Sequence, residues 1–117
     1  MELIKRIHAK VEQDKHITFD NYMDICLYYP DQGYYNNDQI SLNPKNSDFV
    51  TAPEISSLYS ESILHFYIKC KKNKNIENII EFGAGSGEMA FNILKNINNN
   101  MLPKKYYILE KSYYLKN

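Results

Sequence analysis

An excess charge of either sign, a long apolar run and a cysteine framework are all missing from this chain. Its 14 Lys and Arg residues balance 14 Asp and Glu. With no net field to draw in a polyanion, DNA, RNA and anionic membrane surfaces drop out as partners. No apolar stretch approaches the roughly 18 residues that a membrane-spanning helix needs, so no membrane insertion is expected. Cys26 and Cys70 stand far apart, without CxxC spacing. They read as two small core side chains in a reducing compartment rather than a disulfide or a zinc site. His8, His16 and His65 have no ligand spacing either, and no metal is expected. The N-terminal MELIKRIHAKVEQDK mixes charges among apolar residues at 3, 4, 7 and 11. That is an amphipathic helix, not the continuous apolar segment of a signal peptide, and its acids argue against a transit peptide. A soluble intracellular protein is expected.

What is there suits one modest globular domain: 117 residues, 44% hydrophobic and 14% aromatic. A second helix follows the first, with Thr18 as its cap. Phe19, Tyr22, Met23, Cys26 and Leu27 keep helical spacing, Pro30 stops it, and Asp31-Gln32-Gly33 turns the chain. Residues 36–48 are polar and aperiodic, a loop. From Thr51 a third helix is expected, with Thr51 and Glu54 at capping-box spacing and Pro53 in the first turn. Its apolar stripe would run Ile55, Leu58, Tyr59, Ile63, Phe66, Tyr67, Cys70. The pattern then changes. NIIEF is a short apolar strand, GAGSG a turn, EMAFNILKNI a helix with Met89, Ala90, Ile93, Leu94 and Ile97 inward, and YYILE a second strand. Strand, turn, helix and strand make one βαβ unit with parallel strands.

Three of the four glycines fall in that turn, at 83, 85 and 87. A glycine turn between strand and helix brings backbone N–H groups close to a ligand. The phosphate cradle GxxxxGK[ST] is excluded, since Glu88 and not Lys follows Gly87. The dinucleotide pattern GxGxxG would place its third glycine at Glu88, where a carboxylate beside a pyrophosphate is unfavourable. Glu81-Phe82-Gly83-Ala84-Gly85-Ser86-Gly87 instead resembles E/D-x-G-x-G-x-G, the first motif of class I S-adenosyl-L-methionine (SAM) methyltransferases. That cofactor carries no phosphate, and its ammonium and sulfonium charges favour a nearby acid. Glu110, ending the second strand, is placed to accept hydrogen bonds from the ribose hydroxyls. Glu81, Gly83, Gly85, Gly87 and Glu110 are therefore the candidate cofactor-binding residues.

ITFDNYMDICLYYPDQGYY (17–35), SDFVTAPEIS (47–56), EFGAGSGEMAFNIL (81–94) and YYILEKSYYLKN (106–117) together resemble the MidA-like methyltransferase family. Its mitochondrial members are complex I assembly proteins with protein arginine methyltransferase activity. The chain departs from the family pattern at Tyr29, where a His usually precedes the Pro, and at Asn46 and Ser47, where Gly is commoner. The resemblance implies an α/β fold: a helical N-terminal region over 1–75, then over 76–117 the start of a Rossmann-like SAM-binding domain. It also implies that the chain is the N-terminal part of a longer enzyme, binding cofactor weakly or not at all alone. A truncated remnant acting through protein contacts is the alternative.

The activity so implied is methyl transfer from SAM to nitrogen, an arginine of a protein substrate such as a respiratory complex I subunit. The setting would be the cytoplasm of a bacterium or the mitochondrial matrix of a eukaryote. A carboxylate is expected to hold the guanidinium and help remove its proton. Asp48 and Glu54 are the candidates, although Glu54 also has the capping-box role. Tyr34, Tyr35, Thr51 and Pro53 are candidates for the substrate side.

Overall fold

The computed structural model describes residues 2–40 and 48–116, which form two compact units. One comprises 2–40 with 111–116, and the other 48–110.

The first unit is built on α1 (Glu2–Asp14) and α2 (Phe19–Tyr28). Leu3 and Ile7 of the amphipathic stripe are half-buried, while Ile4 and Val11 stay exposed. Thr18 occupies the N-cap of α2, but its hydroxyl accepts from the Asn21 amide (2.6 Å) and makes no bond to the helix backbone. The expected cap is thus present in place and not in bonding. Beyond α2 the chain folds back on the last helical turn. Gly33, Tyr34 and Tyr35 donate backbone N–H groups to Tyr29, Cys26 and Leu27 carbonyls at 2.8, 2.9 and 2.8 Å. That reversal satisfies carbonyls a helix end leaves orphaned.

Residues 111–116 pack into the same unit through side chains. Lys111 pairs with Asp24 and lies 4.5 Å from the centre of the Tyr28 ring. The fully buried Ser112 hydroxyl donates to the Tyr35 carbonyl. Tyr113 N–H reaches Asn36 Oδ1 and the Tyr114 hydroxyl reaches Asp31, both at 2.8 Å.

The second unit runs α3 (Ala52–Ile55), α4 (Ser57–Asn73), β1 (Asn78–Phe82), α5 (Glu88–Asn96), a 3-10 turn (Asn99–Met101) and β2 (Lys105–Leu109). The single helix expected from Thr51 is therefore two. Ser56 between them is extended (φ −155°, ψ 138°), and its hydroxyl accepts from Leu58 N–H at 3.2 Å. Serine makes a good N-cap because it offers the backbone this alternative to continuing a helix.

The break re-aims α4. Ser60, Leu64 and Tyr67 are its buried positions. Of the expected stripe only Tyr67 is buried, whereas Ile55, Leu58 and Phe66 are about two-thirds exposed. Leu64 and Tyr67 close a core with Ile93 and Ile97 of α5 and its C-cap, with Ile76, Ile79, Met89, Met101 and Tyr106 packed around it. On α5, Ala90, Ile93 and Ile97 point inward as expected and Met89 is half-buried, but Leu94 is exposed.

Strands β1 and β2 pair in parallel, from Asn78↔Lys105 to Phe82↔Leu109. The ladder is fastened at both ends. Lys104 N–H donates to the Glu77 carbonyl (2.7 Å) with an ion pair between their side chains (2.6 Å), and Gly83 N–H donates to the Leu109 carbonyl (2.9 Å). The second strand starts and stops one residue before the expected YYILE, leaving Glu110 just beyond its end.

One substitution tests the reversal after α2. A Cβ on Gly33 would lie 2.5 Å from Tyr29 N and 2.7 Å from the Leu27 carbonyl oxygen, both backbone atoms that cannot swing aside. Gly33→Ala is expected to cost about 1–3 kcal/mol through overpacking, read as a lower midpoint in urea unfolding.

Candidate functional site

The parallel register puts three features at one end of the sheet. Glu81 is the penultimate residue of β1, Glu110 follows β2, and the 83–87 turn rises between β1 and α5. The carboxyl ends of parallel strands are where open α/β sheets bind ligands.

The turn is shaped by its glycines. Gly85 and Gly87 have φ of +56° and +78°, the left-handed region that costs other residues about 1–2 kcal/mol. A Cβ at either would meet nothing within 4 Å, so the backbone here borders open space. The turn is closed by Gly87 N–H on the Ala84 carbonyl (2.8 Å), and Phe91 N–H on the Gly87 carbonyl (2.9 Å) starts α5. No side chain at Gly87 caps α5. Its first N–H groups therefore lie at the turn with no intrahelical acceptor. Glu88 occupies the first helical position and accepts from the Asn92 amide at 2.9 Å.

Glu81 is buried, 7% exposed, and accepts from the Tyr106 hydroxyl at 2.6 Å. Burial first and then this carboxylate raise the Tyr106 phenol above the ordinary 10, keeping it a donor. A carboxylate in such a place needs a partner, because an unpaired buried charge is costly. Glu110 is half-buried at the strand end.

Glu54 is bound on both oxygens. Its Oε2 accepts from Thr51 N–H (2.7 Å) and the Thr51 hydroxyl (3.1 Å), and its Oε1 from the Ser86 hydroxyl (3.0 Å). The expected capping box is thus formed, with Pro53 in the first turn, and it reaches into the glycine turn as well. These donors, the Thr51 N–H foremost, hold the Glu54 carboxyl below the usual 4.5.

The other acceptor-side candidates are placed as follows. Asp48 is exposed ahead of α3, Thr51 is exposed and Pro53 half-buried. Tyr34 and Tyr35 belong to the first unit, where they stack edge to face with ring centres 4.9 Å apart, and Tyr28 lies 5.8 Å from Tyr35. Asn46 and Ser47 lie outside the described residues. Sequence reasoning missed two members, Tyr106 and Ser86. The signal for Tyr106 was a hydroxyl on the same strand parity as a residue opposite Glu81, legible once the parallel register is drawn. Ser86 offered none, because its partner comes from another helix.

The set fits SAM: open left-handed glycines, free helix N–H groups, and carboxylates rather than cations at the strand ends. Among the described residues no helix is long and apolar enough to cross a membrane, and no His, Cys, Asp and Glu cluster has metal-ligand geometry.

Two outcomes check this geometry. Tyr106→Phe leaves Glu81 buried without its donor and is expected to cost about 1–3 kcal/mol in urea unfolding, a loss that shrinks when Glu81→Gln is added. Because the Glu54 pKa is depressed by folding, its bonds stabilise the protein above the unfolded value and are lost as pH falls through the folded one. Carboxyl carbon NMR is expected to show Glu54 titrating below 4.5.

Residues 58–117 match the profile of a family described as S-adenosyl-L-methionine-dependent methyltransferases. The mitochondrial protein arginine methyltransferase NDUFAF7 of Xenopus laevis is 30% identical over 83% of this chain and 22% of its own length. That of Bos taurus is 30% identical over 80% of this chain and 21% of its own. The chain thus spans about a fifth of the length of these relatives. A crystal structure of a COG1565 superfamily member from Burkholderia thailandensis, bound to S-adenosyl-homocysteine, superposes with a TM-score of 0.78 at 29% identity. It covers 98% of this chain and 31% of that one. A second Burkholderia thailandensis structure, of an uncharacterised protein, gives a TM-score of 0.73 at 26% identity over 98% of this chain and 29% of that one. With the Glu81 to Gly87 motif inside its α/β frame and the family profile over half its length, this chain belongs to the S-adenosyl-L-methionine-dependent methyltransferase family.

Proposed function

We propose that the chain binds SAM over the 83–87 turn and serves methyl transfer to a protein nitrogen. The acceptor is an arginine, as the names of its relatives suggest, and the substrate is a subunit of respiratory complex I. The setting is the mitochondrial matrix in a eukaryote and the cytoplasm in a bacterium. The observation that carries this reading is the pair of carboxylates, Glu81 and Glu110, at the two strand ends flanking a glycine turn with no cation in it.

When bound, the cofactor supplies an activated methyl group on a positively charged sulfur. Gly83, Gly85 and Gly87 let the backbone come close enough to hold its amino-acid tail. Glu110 accepts from ribose hydroxyls, and Glu81 provides negative charge near the ammonium and sulfonium. On the acceptor side a carboxylate is needed to orient the guanidinium and accept its proton. Glu54 has both oxygens committed to Thr51 and Ser86, which turns the assignment to Asp48, with Thr51 and Pro53 framing that side.

Titration of the ¹⁵N-labelled chain with S-adenosylhomocysteine tests the reading even if binding is only millimolar. The amide signals of Gly85, Gly87 and Glu88 are expected to shift, and NAD is expected to leave them in place. Shifts with NAD and none with S-adenosylhomocysteine would count against it.

A further inference from the structure

Glu54 joins two pieces of chain that are far apart in sequence, the Thr51 turn ahead of α3 and the glycine turn ahead of α5. Three contacts make the join: Thr51 N–H at 2.7 Å and Thr51 hydroxyl at 3.1 Å on one oxygen, Ser86 hydroxyl at 3.0 Å on the other. A capping-box acid needs only the first of these. The bond to Ser86 is extra, and it lands between the two glycines with φ of +56° and +78°. Such a turn has few ties of its own. It makes one internal backbone bond, Gly87 N–H to the Ala84 carbonyl, and its glycines have more conformational freedom than any other residue. A turn this loose spends part of its binding free energy on becoming ordered.

We propose that Glu54 is a positioning residue: by holding Ser86 it fixes the glycine turn in the conformation that receives the cofactor. The inference rests on the cofactor reading above for its consequence, and on the Glu54–Ser86 bond alone for its structural part. Glu54 then takes no proton from the acceptor. Glu54 links α3 to cofactor binding through a hydrogen bond rather than through substrate contact.

The 117-residue chain and its Glu54→Ala, Glu54→Gln, Ser86→Ala and Glu54→Ala/Ser86→Ala variants test this with two readouts. Without cofactor, the amide shifts of Gly85 and Gly87 should move in the same direction in both single alanine variants, and the double variant should add nothing. With S-adenosylhomocysteine, each alanine variant should weaken binding about tenfold, the loss of one hydrogen bond to a charged group. Glu54→Gln should stay within about threefold of wild type, because its amide oxygen still accepts from Thr51 and its NH₂ still donates to the Ser86 oxygen. Ser86→Ala leaves the capping box intact, so it remains informative if Glu54→Ala unfolds α3. Unchanged glycine amides in Ser86→Ala would overturn the proposal, as would a Glu54→Gln defect as large as that of Glu54→Ala. If the wild-type chain binds no S-adenosylhomocysteine, the amide shifts alone decide whether Glu54 positions the turn.

Discussion

Everything at the site depends on the parallel pairing of β1 with β2. A shift of register by one residue would carry Glu81 to the other face of the sheet, away from Tyr106. It would also move Glu110 off the level of the turn. The pairing is pinned beyond its five rungs by Lys104 against Glu77 at one end and Gly83 N–H on the Leu109 carbonyl at the other. The last bond matters most for chemistry, because it makes the first glycine of the turn part of the ladder. The turn is thus launched from a fixed point rather than from a fraying strand end.

From that fixed point, charge selects the ligand. Nucleotide phosphates at helix N-termini are held by N–H groups together with cations such as a P-loop lysine. Here the acids belong to the turn and to the strand ends that flank it: Glu81 near the end of β1, Glu88 in the first helical turn, Glu110 just after β2 and Glu54 bonded to Ser86. Such surroundings disfavour a pyrophosphate and favour a cationic sulfonium and an ammonium. The selection is a matter of local sign, and a chain with no net charge can still make it.

Much of this was legible in the sequence, and the reasons differ by element. The βαβ unit and its glycine turn are local signals, so β1 was recognised at its true bounds and β2 to within one residue. The capping box was equally local and formed as spaced. What failed involved choices between local preferences and tertiary contacts. The stripe on α4 has helical period, yet Ser56 starts a new helix and the core takes Ser60, Leu64 and Tyr67. Leu94 likewise satisfies the period of α5 and stays exposed. Thr18 stands where a cap belongs, but Asn21 takes its hydroxyl. Ser86 carries no periodic signature and its partner comes from another helix, whereas Tyr106 becomes legible only once the register of the parallel strands is drawn.

The central claim is that acids around an open glycine turn make this a site for SAM and not for a dinucleotide. Thermal unfolding of the chain with millimolar S-adenosylhomocysteine or millimolar NAD tests it most directly, since a ligand that binds only the folded state raises Tm. A rise with S-adenosylhomocysteine and none with NAD is the predicted result. A rise with NAD and none with S-adenosylhomocysteine would contradict it.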